Sequence, residues 1–226
     1  MRNAVQILKK NLTPSFTPKQ RTIFLITGIG AFFLFMLLTF LVRSDILRSF
    51  DFNTTVRLQD DIPIRFDDFF SFLSVVGRFE FCLSLLLIIL FIKRKLLGVI
   101  PFALFGFAHI IELVGKSILS QPGPPHMFLR TKELASNFPG LYIHTGASYP
   151  SGHSLRAIFL STIVIFIIWK TKKLPAFLKY SLISLMGIYA FLMLLSRVSL
   201  GEHWTTDVVA GALLGLSFAF LSLLFL

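Results

Sequence analysis

Long hydrophobic segments alternate with short polar segments along most of the chain. A helix needs about 20 predominantly apolar residues to cross ~30 Å of hydrocarbon. Six segments reach or approach this length: 23–42, 69–92, 96–119, 155–169, 177–197 and 205–226. The pattern therefore predicts an all-α, polytopic membrane protein with six transmembrane helices in a bundle.

The segments between the predicted spans are polar and differ in character. Residues 1–22 are polar and basic, which predicts a cytoplasmic N-terminal segment. The first apolar segment also has the length of a signal peptide, but residues 43–45 (Arg-Ser-Asp) offer no small-residue cleavage site, so we predict a retained helix. Residues 43–68 mix charges with Phe and Ile and predict a loop or an interfacial segment. Residues 120–150, rich in Pro and Gly, predict a long loop between the third and fourth spans.

Composition supports the assignment to membranes. Of the 226 residues, 55% are hydrophobic and 27 are Phe, and the mean hydropathy is +0.79. A soluble domain of this size has a polar surface to cover and is less apolar. The single cysteine, Cys82, excludes an intramolecular disulfide or a cysteine-based metal site. No internal repeat or second domain is visible, so residues 1–226 are predicted to form one membrane-embedded domain.

The basic residues predict an orientation and do not indicate nucleic-acid binding, despite a net charge of +11. Five Lys or Arg residues precede the first span, and three lie between the second and third. Four more lie between the fourth span and the start of the fifth, counting Lys179, and none of these segments contains an acidic residue. Basic loops remain in the cytoplasm. We therefore predict a multi-pass protein of the plasma (inner) membrane with both termini in the cytoplasm.

Reactive side chains collect at the predicted extracytoplasmic ends of four spans. Lys116 lies near the end of the third span, and residues 150–153 (Pro-Ser-Gly-His) open the fourth. Arg197 closes the fifth, and His203 and Asp207 open the sixth. A lone Lys at a span end usually extends to the interface, and a lone interfacial His is usually structural. Their convergence at one level of the membrane instead favours a functional site, with residues 120–150 as its extracytoplasmic active-site loop.

These residue types suit an anionic ligand. Ser151 is a predicted N-cap, and Gly152 lets a ligand approach the N–H groups of a helix start, where anions bind well. His203 and Asp207 are four apart, so on a helix they share a face. The carboxylate accepts from one imidazole nitrogen and leaves the other free as a nucleophile. Lys116 supplies positive charge for phosphoryl oxygens, as does Arg197.

The order and spacing of these residues are similar to the three signature motifs of the type 2 phosphatidic acid phosphatase superfamily. Residues 196–207 (Ser-Arg, five residues, His, three residues, Asp) resemble the third motif, and residues 150–153 resemble the second. Lys116 and the Pro-rich stretch 121–125 resemble the first. The resemblance covers roughly residues 60–226.

The resemblance implies an integral membrane phosphatase that hydrolyses a lipid phosphate or lipid pyrophosphate through a covalent phosphohistidine, with no metal or organic cofactor. It implies that His203 attacks phosphorus, Asp207 orients His203, and His153 protonates the leaving oxygen. It also implies a set of groups that hold the phosphoryl oxygens: Lys116, Ser151, Gly152 and Arg197. Its partner would be a lipid phosphate substrate taken from the bilayer.

The first motif departs from the family pattern. The family has Arg-Pro seven and eight residues after the Lys, where this chain has Gly123 and Pro124. A phosphate-binding guanidinium is missing, and we predict that Arg130, in the same loop, replaces it. Arg78 and Arg156 are the alternatives.

Several alternatives stay open at this point. Glu112, four residues before Lys116, is either structural or an orienter of that lysine. Gly211 and Gly215 permit close helix packing or are ordinary small residues of a lipid-facing helix. The function is alternatively that of a lipid phosphotransferase or of an inactive binder or transporter of phosphorylated lipids. Vanadate haloperoxidases use a similar constellation, but six spans argue against that class.

Overall fold

The computed structural model describes residues 16–93, 99–119, 121–131 and 147–226, and within these residues the secondary structure is helical. The α-helices, in chain order, are α1 Pro18–Arg43, α2 Arg48–Asp61, α3 Asp67–Val76, α4 Phe79–Lys93, α5 Val99–Leu119, α6 Gly152–Lys170, α7 Ala176–Ser199 and α8 Thr205–Leu223. Two 3-10 helices, Ile64–Phe66 and His126–Phe128, and one antiparallel bridge between Pro122 and Ala147 complete the described structure.

Five of the described helices are long and apolar enough to cross a membrane: α1, α5, α6, α7 and α8. A sixth span exists if α3 (with the 3-10 helix before it) and α4 are counted together, bent by 52°. The all-helical multi-pass prediction is thus confirmed, and the predicted second span, 69–92, is interrupted in the structure by the break between α3 and α4. Most of the N-terminal segment 1–22 and of the loop 120–150 lies outside the described residues.

The second predicted span is interrupted near its middle, where side chains from other helices pack against it and bond its backbone. A Cβ on Gly77 would lie 2.7 Å from the terminal methyl of Met193 and 3.0 Å from the His153 ring, so side chains of α6 and α7 pack closely against this position. The Gly77 carbonyl accepts from Arg156 Nε at 2.8 Å instead of bonding within a continuous helix. Packing and a competing donor therefore end α3 at Val76.

Helices α6 and α8 form the centre of the bundle. In their most apolar 18-residue stretches 50% and 67% of residues are buried, against 17–28% in α1, α5 and α7. The two backbones touch: a Cβ on Gly211 would overlap the carbonyl oxygen of Ser151, and one on Gly215 would overlap that of Leu155. Of the two interpretations of the glycine pair, close helix packing is confirmed.

Helix α1 packs along α8 on one side of this centre. It begins at a capping box in which Thr17 and Gln20 bond each other's backbone N–H groups. A Cβ on Gly28 would lie 3.0 Å from Leu221, which fixes a close approach of the two helices. Near its other end, Thr39 hydrogen-bonds the buried Tyr149 hydroxyl at 2.7 Å.

The segment predicted to be a loop or interfacial segment, 43–68, is largely helical. Helix α2 lies against the start of α8, where Asp51 accepts from the N–H and the hydroxyl of Thr206 at 2.8 and 2.6 Å. Gln59 donates to the carbonyls of Phe128 and Ser199. Burial raises the pKa of the Asp51 carboxyl, the hydrogen bonds from Thr206 oppose that rise, and the charge of Asp207 adds to it. This helix therefore supports the end of the bundle at which the predicted site lies.

Candidate active site

A tight turn after α7 carries the third motif. The helix ends at Ser199, and Gly201 follows in the left-handed conformation with φ +69°. A Cβ on Gly201 would overlap the Phe128 carbonyl oxygen. The Arg197 carbonyl accepts from the N–H groups of Glu202 and His203 at 3.1 and 3.2 Å. This reversal of the chain explains why five residues separate the arginine from the histidine.

His203 lies beside Asp207, although not on the same helix as the spacing had predicted. Helix α8 begins at Thr205, so His203 belongs to the turn before it. Its Nδ1 lies 3.6 Å from Asp207 Oδ2, and that oxygen accepts from the Trp204 N–H at 2.9 Å. Asp207 is fully buried. The pair stands about 0.5 Å beyond hydrogen-bond distance, a separation that ligand binding often closes in active sites.

A backbone hydrogen bond connects the second motif to the third. Ser151 is the N-cap of α6, as predicted, and its Oγ accepts from the Ser154 N–H at 3.5 Å. Its own N–H donates to the Asp207 carbonyl at 2.9 Å. The first-turn N–H groups of Gly152 and His153 have no acceptor within the helix. With the positive end of the helix dipole, they suit a bound anion.

His153 is held by the broken span. Its Nε2 lies 3.2 Å from the Ser74 carbonyl oxygen. A carbonyl only accepts, so this hydrogen bond places a proton on Nε2 and leaves Nδ1 to exchange protons with a ligand. The Arg197 guanidinium donates to the hydroxyl of the same Ser74, and the Arg197 carbonyl accepts from the His203 N–H. The two predicted catalytic histidines are therefore in one cluster.

Glu112 connects Lys116 to this cluster. Its Nζ donates to Glu112 Oε1 at 2.8 Å, and Glu112 Oε2 lies 3.8 Å from His109 Nε2. Glu112 is 5% exposed and lies against Gly152, where a Cβ would overlap Oε1. The structure thus favours the interpretation that Glu112 orients Lys116, and it places the ammonium group beside the second motif.

Arg197 is fully buried and bound by side chains from two parts of the chain. Its Nη1 lies 2.5 Å from Glu202 Oε2, and its Nη2 donates to the hydroxyls of Ser74 and Ser196. A guanidinium with this many acceptors has a fixed orientation. It provides a positive charge that does not need to reorganise when a phosphate binds.

The structure does not bring Arg130 to the site as predicted. Its Nε and Nη2 lie 3.1 and 3.0 Å from the two carboxylate oxygens of Asp67. Its Nη1 and Nη2 also donate to the carbonyls of Gln59 and Ile62 at the end of α2. The Arg130 guanidinium is therefore held at the end of α2 and against the buried Asp67, and the acceptors that hold it are not residues of the three motifs.

Arg130→Ala is expected to lower the stability of the fold without weakening phosphate binding. The substitution leaves the Asp67 carboxylate, which is 2% exposed, without its cationic partner. Breaking a buried ion pair in this way lowers the free energy of unfolding by about 3 kcal/mol. Thermal unfolding of Arg130→Ala, Asp67→Asn and the double variant measures this, and we expect the two losses not to add. Weaker inhibition by vanadate with unchanged stability would instead restore the phosphate-binding role.

Arg156 is the guanidinium that the structure places at the second motif. It is 9% exposed, and its Nη1 lies 2.9 Å from where a Cβ on Gly152 would stand. The same nitrogen lies 3.5 Å from His109 Nε2. At Gly123, where the family has arginine, a Cβ would make ordinary contacts with Ser148 and Glu202. That position therefore lies at the edge of the same site.

Three residues of the site were missed by sequence reasoning: Ser74, Glu202 and Asp51. Ser74 lies in an apolar segment that also contains Arg78 and Glu80, and this polarity was the available signal that the segment is not an ordinary span. Glu202 lies within the third motif, one residue before the histidine. Nothing local distinguishes Asp51 from the other acidic residues of its segment.

The helices and the site together define a class: a membrane-embedded helical protein with paired histidines, a buried carboxylate and several fixed cations around a helix start, an arrangement suited to a phosphate group. The PAP2 superfamily matches residues 96–226, and the chain belongs to this family. Two curated relatives are similar over 152 residues. Phosphatidylglycerophosphatase B of Bacillus subtilis is 30% identical, over 65% of this chain and 68% of that protein. The undecaprenyl-diphosphatase of Sulfolobus acidocaldarius is 32% identical, over 67% of this chain and 66% of that protein.

Two solved structures share the fold. The PAP2-type phosphatidylglycerolphosphate phosphatase from Bacillus subtilis superimposes with a TM-score of 0.69 at 23% identity, covering 87% of this chain and 94% of that chain. Aquifex aeolicus LpxE gives a TM-score of 0.57 at 22% identity, covering 76% of this chain and 93% of that chain. The likeness extends well before residue 96, so the N-terminal helices belong to the same fold.

Proposed function

We propose that the protein is an integral membrane phosphatase that hydrolyses a lipid phosphate or a lipid diphosphate through a phosphohistidine. The observation that carries this proposal is the placement of His203 beside the buried Asp207, in one cluster with His153 and Arg197. The relatives support it, because their names describe phosphatases of phosphatidylglycerophosphate and undecaprenyl diphosphate. Because the cluster lies at one end of the bundle, we propose that a lipid reaches it by lateral diffusion in the bilayer.

The proposed reaction has two steps. In the first, an imidazole nitrogen of His203 attacks phosphorus, the bond from phosphorus to the leaving oxygen breaks, and His153 gives that oxygen a proton. The leaving oxygen belongs to the lipid alcohol or, for a diphosphate, to the lipid monophosphate. In the second, His153 takes a proton from water, the water oxygen attacks phosphorus, and the bond to His203 breaks to release phosphate. Asp207 holds His203 and stabilises its positive charge, as carboxylates do beside catalytic imidazoles.

The phosphoryl oxygens carry charge that must be matched in both steps. Lys116, Arg197, the Ser151 hydroxyl and the Gly152 N–H are proposed to hold them. Arg156 takes the part first assigned to Arg130, because its guanidinium lies against Gly152 and that of Arg130 is bound to Asp67. Fixed donors aimed at developing charge are usually the largest contribution to such catalysis.

A lipid panel tests this function directly. Purified protein in detergent with EDTA is expected to release phosphate from at least one lipid phosphate or diphosphate, and orthovanadate is expected to inhibit. Among the described residues, no group of three or more His, Cys, Asp or Glu is arranged to hold a metal ion. Activity lost in EDTA and restored by a divalent ion would contradict the metal-independent mechanism. Phosphate recovered on a second lipid, and not in solution, would indicate a phosphotransferase.

We also propose that residues 1–226 act as one domain with six spans, counting α3 and α4 as one, and with both termini in the cytoplasm of the plasma membrane. The basic segment that includes Lys172 supports this orientation. In a Cys82→Ser background, an impermeant thiol reagent is expected to label Met127→Cys from outside the cell and not Lys172→Cys. Both positions are exposed, and Met127 is 80% exposed. Labelling of Lys172→Cys alone would invert the orientation.

A further inference from the structure

Three functional side chains from two other helices converge on the end of α3. His153 bonds the Ser74 carbonyl at 3.2 Å, and Arg197 Nη2 donates to the Ser74 hydroxyl. Arg156 Nε donates to the Gly77 carbonyl at 2.8 Å. Ser74 thus contacts the second motif through its backbone and the third motif through its side chain.

The break in the span explains why cationic and imidazole side chains surround the end of α3. The last four carbonyls of a helix have no partner within it, and the helix dipole makes that end negative. At a break inside a bundle, water is scarce, so side-chain donors must satisfy these carbonyls. His153 and Arg156 of α6 bond two carbonyls at this end, those of Ser74 and Gly77, and Arg197 of α7 donates to the Ser74 hydroxyl. These acceptors in turn fix the positions of the donors.

We propose that Ser74 is a positioning residue of the phosphatase that holds Arg197 and His153 in place for phosphoryl transfer. The inference rests on the function proposed above. Ser74 lies in the part of the chain before residue 96, where the match to the family begins, so the three motifs do not include it. Its Oγ accepts from Arg197 Nη2 and ties that nitrogen to α3; without it Nη2 keeps the Ser196 hydroxyl of its own helix at 3.1 Å and only the longer contact to the Phe70 carbonyl of α3 at 3.5 Å.

The test compares Ser74→Ala with Ser74→Thr and with Ser161→Ala. Threonine keeps the hydroxyl and is expected to retain activity. Ser161 is a matched control because it is buried at 3% exposure and its Oγ has no hydrogen-bond partner among the described residues. A hydrogen bond to a charged group is worth about 1.5–3 kcal/mol. We therefore expect Ser74→Ala to lower kcat/KM roughly 10- to 100-fold, with little change in the thermal midpoint.

Vanadate affinity separates positioning from a structural role. A structural role would reduce the fraction of active enzyme and leave the dissociation constant of orthovanadate unchanged. Positioning of Arg197 predicts that this constant rises by about the same factor by which kcat/KM falls, and that Ser74→Thr restores both. Thermal stabilisation of the purified protein by vanadate measures the constant without turnover.

The outcomes distinguish this inference from the proposed function. Ser74→Ala with the vanadate affinity of the wild type overturns the inference, whatever its activity. A wild type that binds vanadate but releases no phosphate from any lipid counts against the proposed function alone, and the affinity of Ser74→Ala still decides the role of Ser74. A wild type that does not bind vanadate contradicts both.

Discussion

Replacing His203 with alanine is expected to abolish phosphate release while the protein remains folded. The substitution removes the proposed nucleophile, and loss of a nucleophile cannot be compensated by the groups that remain. The side chain lies in the turn before α8, and its Nδ1 has no hydrogen-bond partner among the described residues, so the substitution breaks no hydrogen bond at that atom. We expect kcat to fall by about 10⁴-fold or more, with an unchanged apparent unfolding midpoint in detergent.

His126→Ala is the matched control for this prediction. His126 is an exposed histidine on the 3-10 helix of the loop that precedes the second motif, and no role is proposed for it. It should keep wild-type activity on the same lipid. Substantial turnover by His203→Ala, measured as phosphate released by purified protein over hours, would refute the phosphohistidine mechanism and favour direct attack by water.

Replacing Gly211 with alanine is expected to destabilise the bundle and to disable the site together. The added methyl group would overlap the Ser151 carbonyl oxygen and lie 3.1 Å from its carbonyl carbon. Backbone atoms cannot rotate away, so α6 and α8 must separate. Overpacking of this kind costs about 1–3 kcal/mol and sometimes more. Since Ser151 also bonds the Asp207 carbonyl, separation moves the second motif away from the third.

Gly106→Ala provides the control, because it is the same substitution within a membrane-spanning helix. A Cβ on Gly106 meets nothing within 4 Å, and alanine favours a helix over glycine by about 0.5–1 kcal/mol. Its thermal midpoint should equal or slightly exceed that of the wild type, with full activity. A Gly211→Ala protein as stable and active as Gly106→Ala would show that the two helices do not need their close contact.

The parts of the site that could be predicted from the sequence are those with local signals. Ser151 before an apolar segment predicts an N-cap, and the structure has one. The spacing of His203 and Asp207 predicts their contact, although a turn and not a helix creates it. The four spans that carry the site residues could be predicted because a long apolar segment can cross a membrane only as a helix.

The remaining features depend on contacts between distant parts of the chain. Nothing near Arg130 shows that its partner is Asp67, which precedes it by 63 residues. The break at Gly77 results from packing against Met193 and from the Arg156 donor, both of which lie far along the chain. The pattern of apolar residues depends on burial and carries no information about such pairings. It therefore predicts the span but not the bend within it.

The pairing of α1 with α8 has a consequence for biosynthesis. Phe32 of the first described helix meets Phe218 of the last, and Arg21 lies 3.4 Å from the Leu224 carbonyl, 203 residues away in sequence. Synthesis proceeds from the N-terminus, so α1 enters the membrane long before its partner exists. Until α8 is made, the face of α1 that carries Gly28 must be covered by lipid or by another protein, and the bundle closes only when the last helix is inserted.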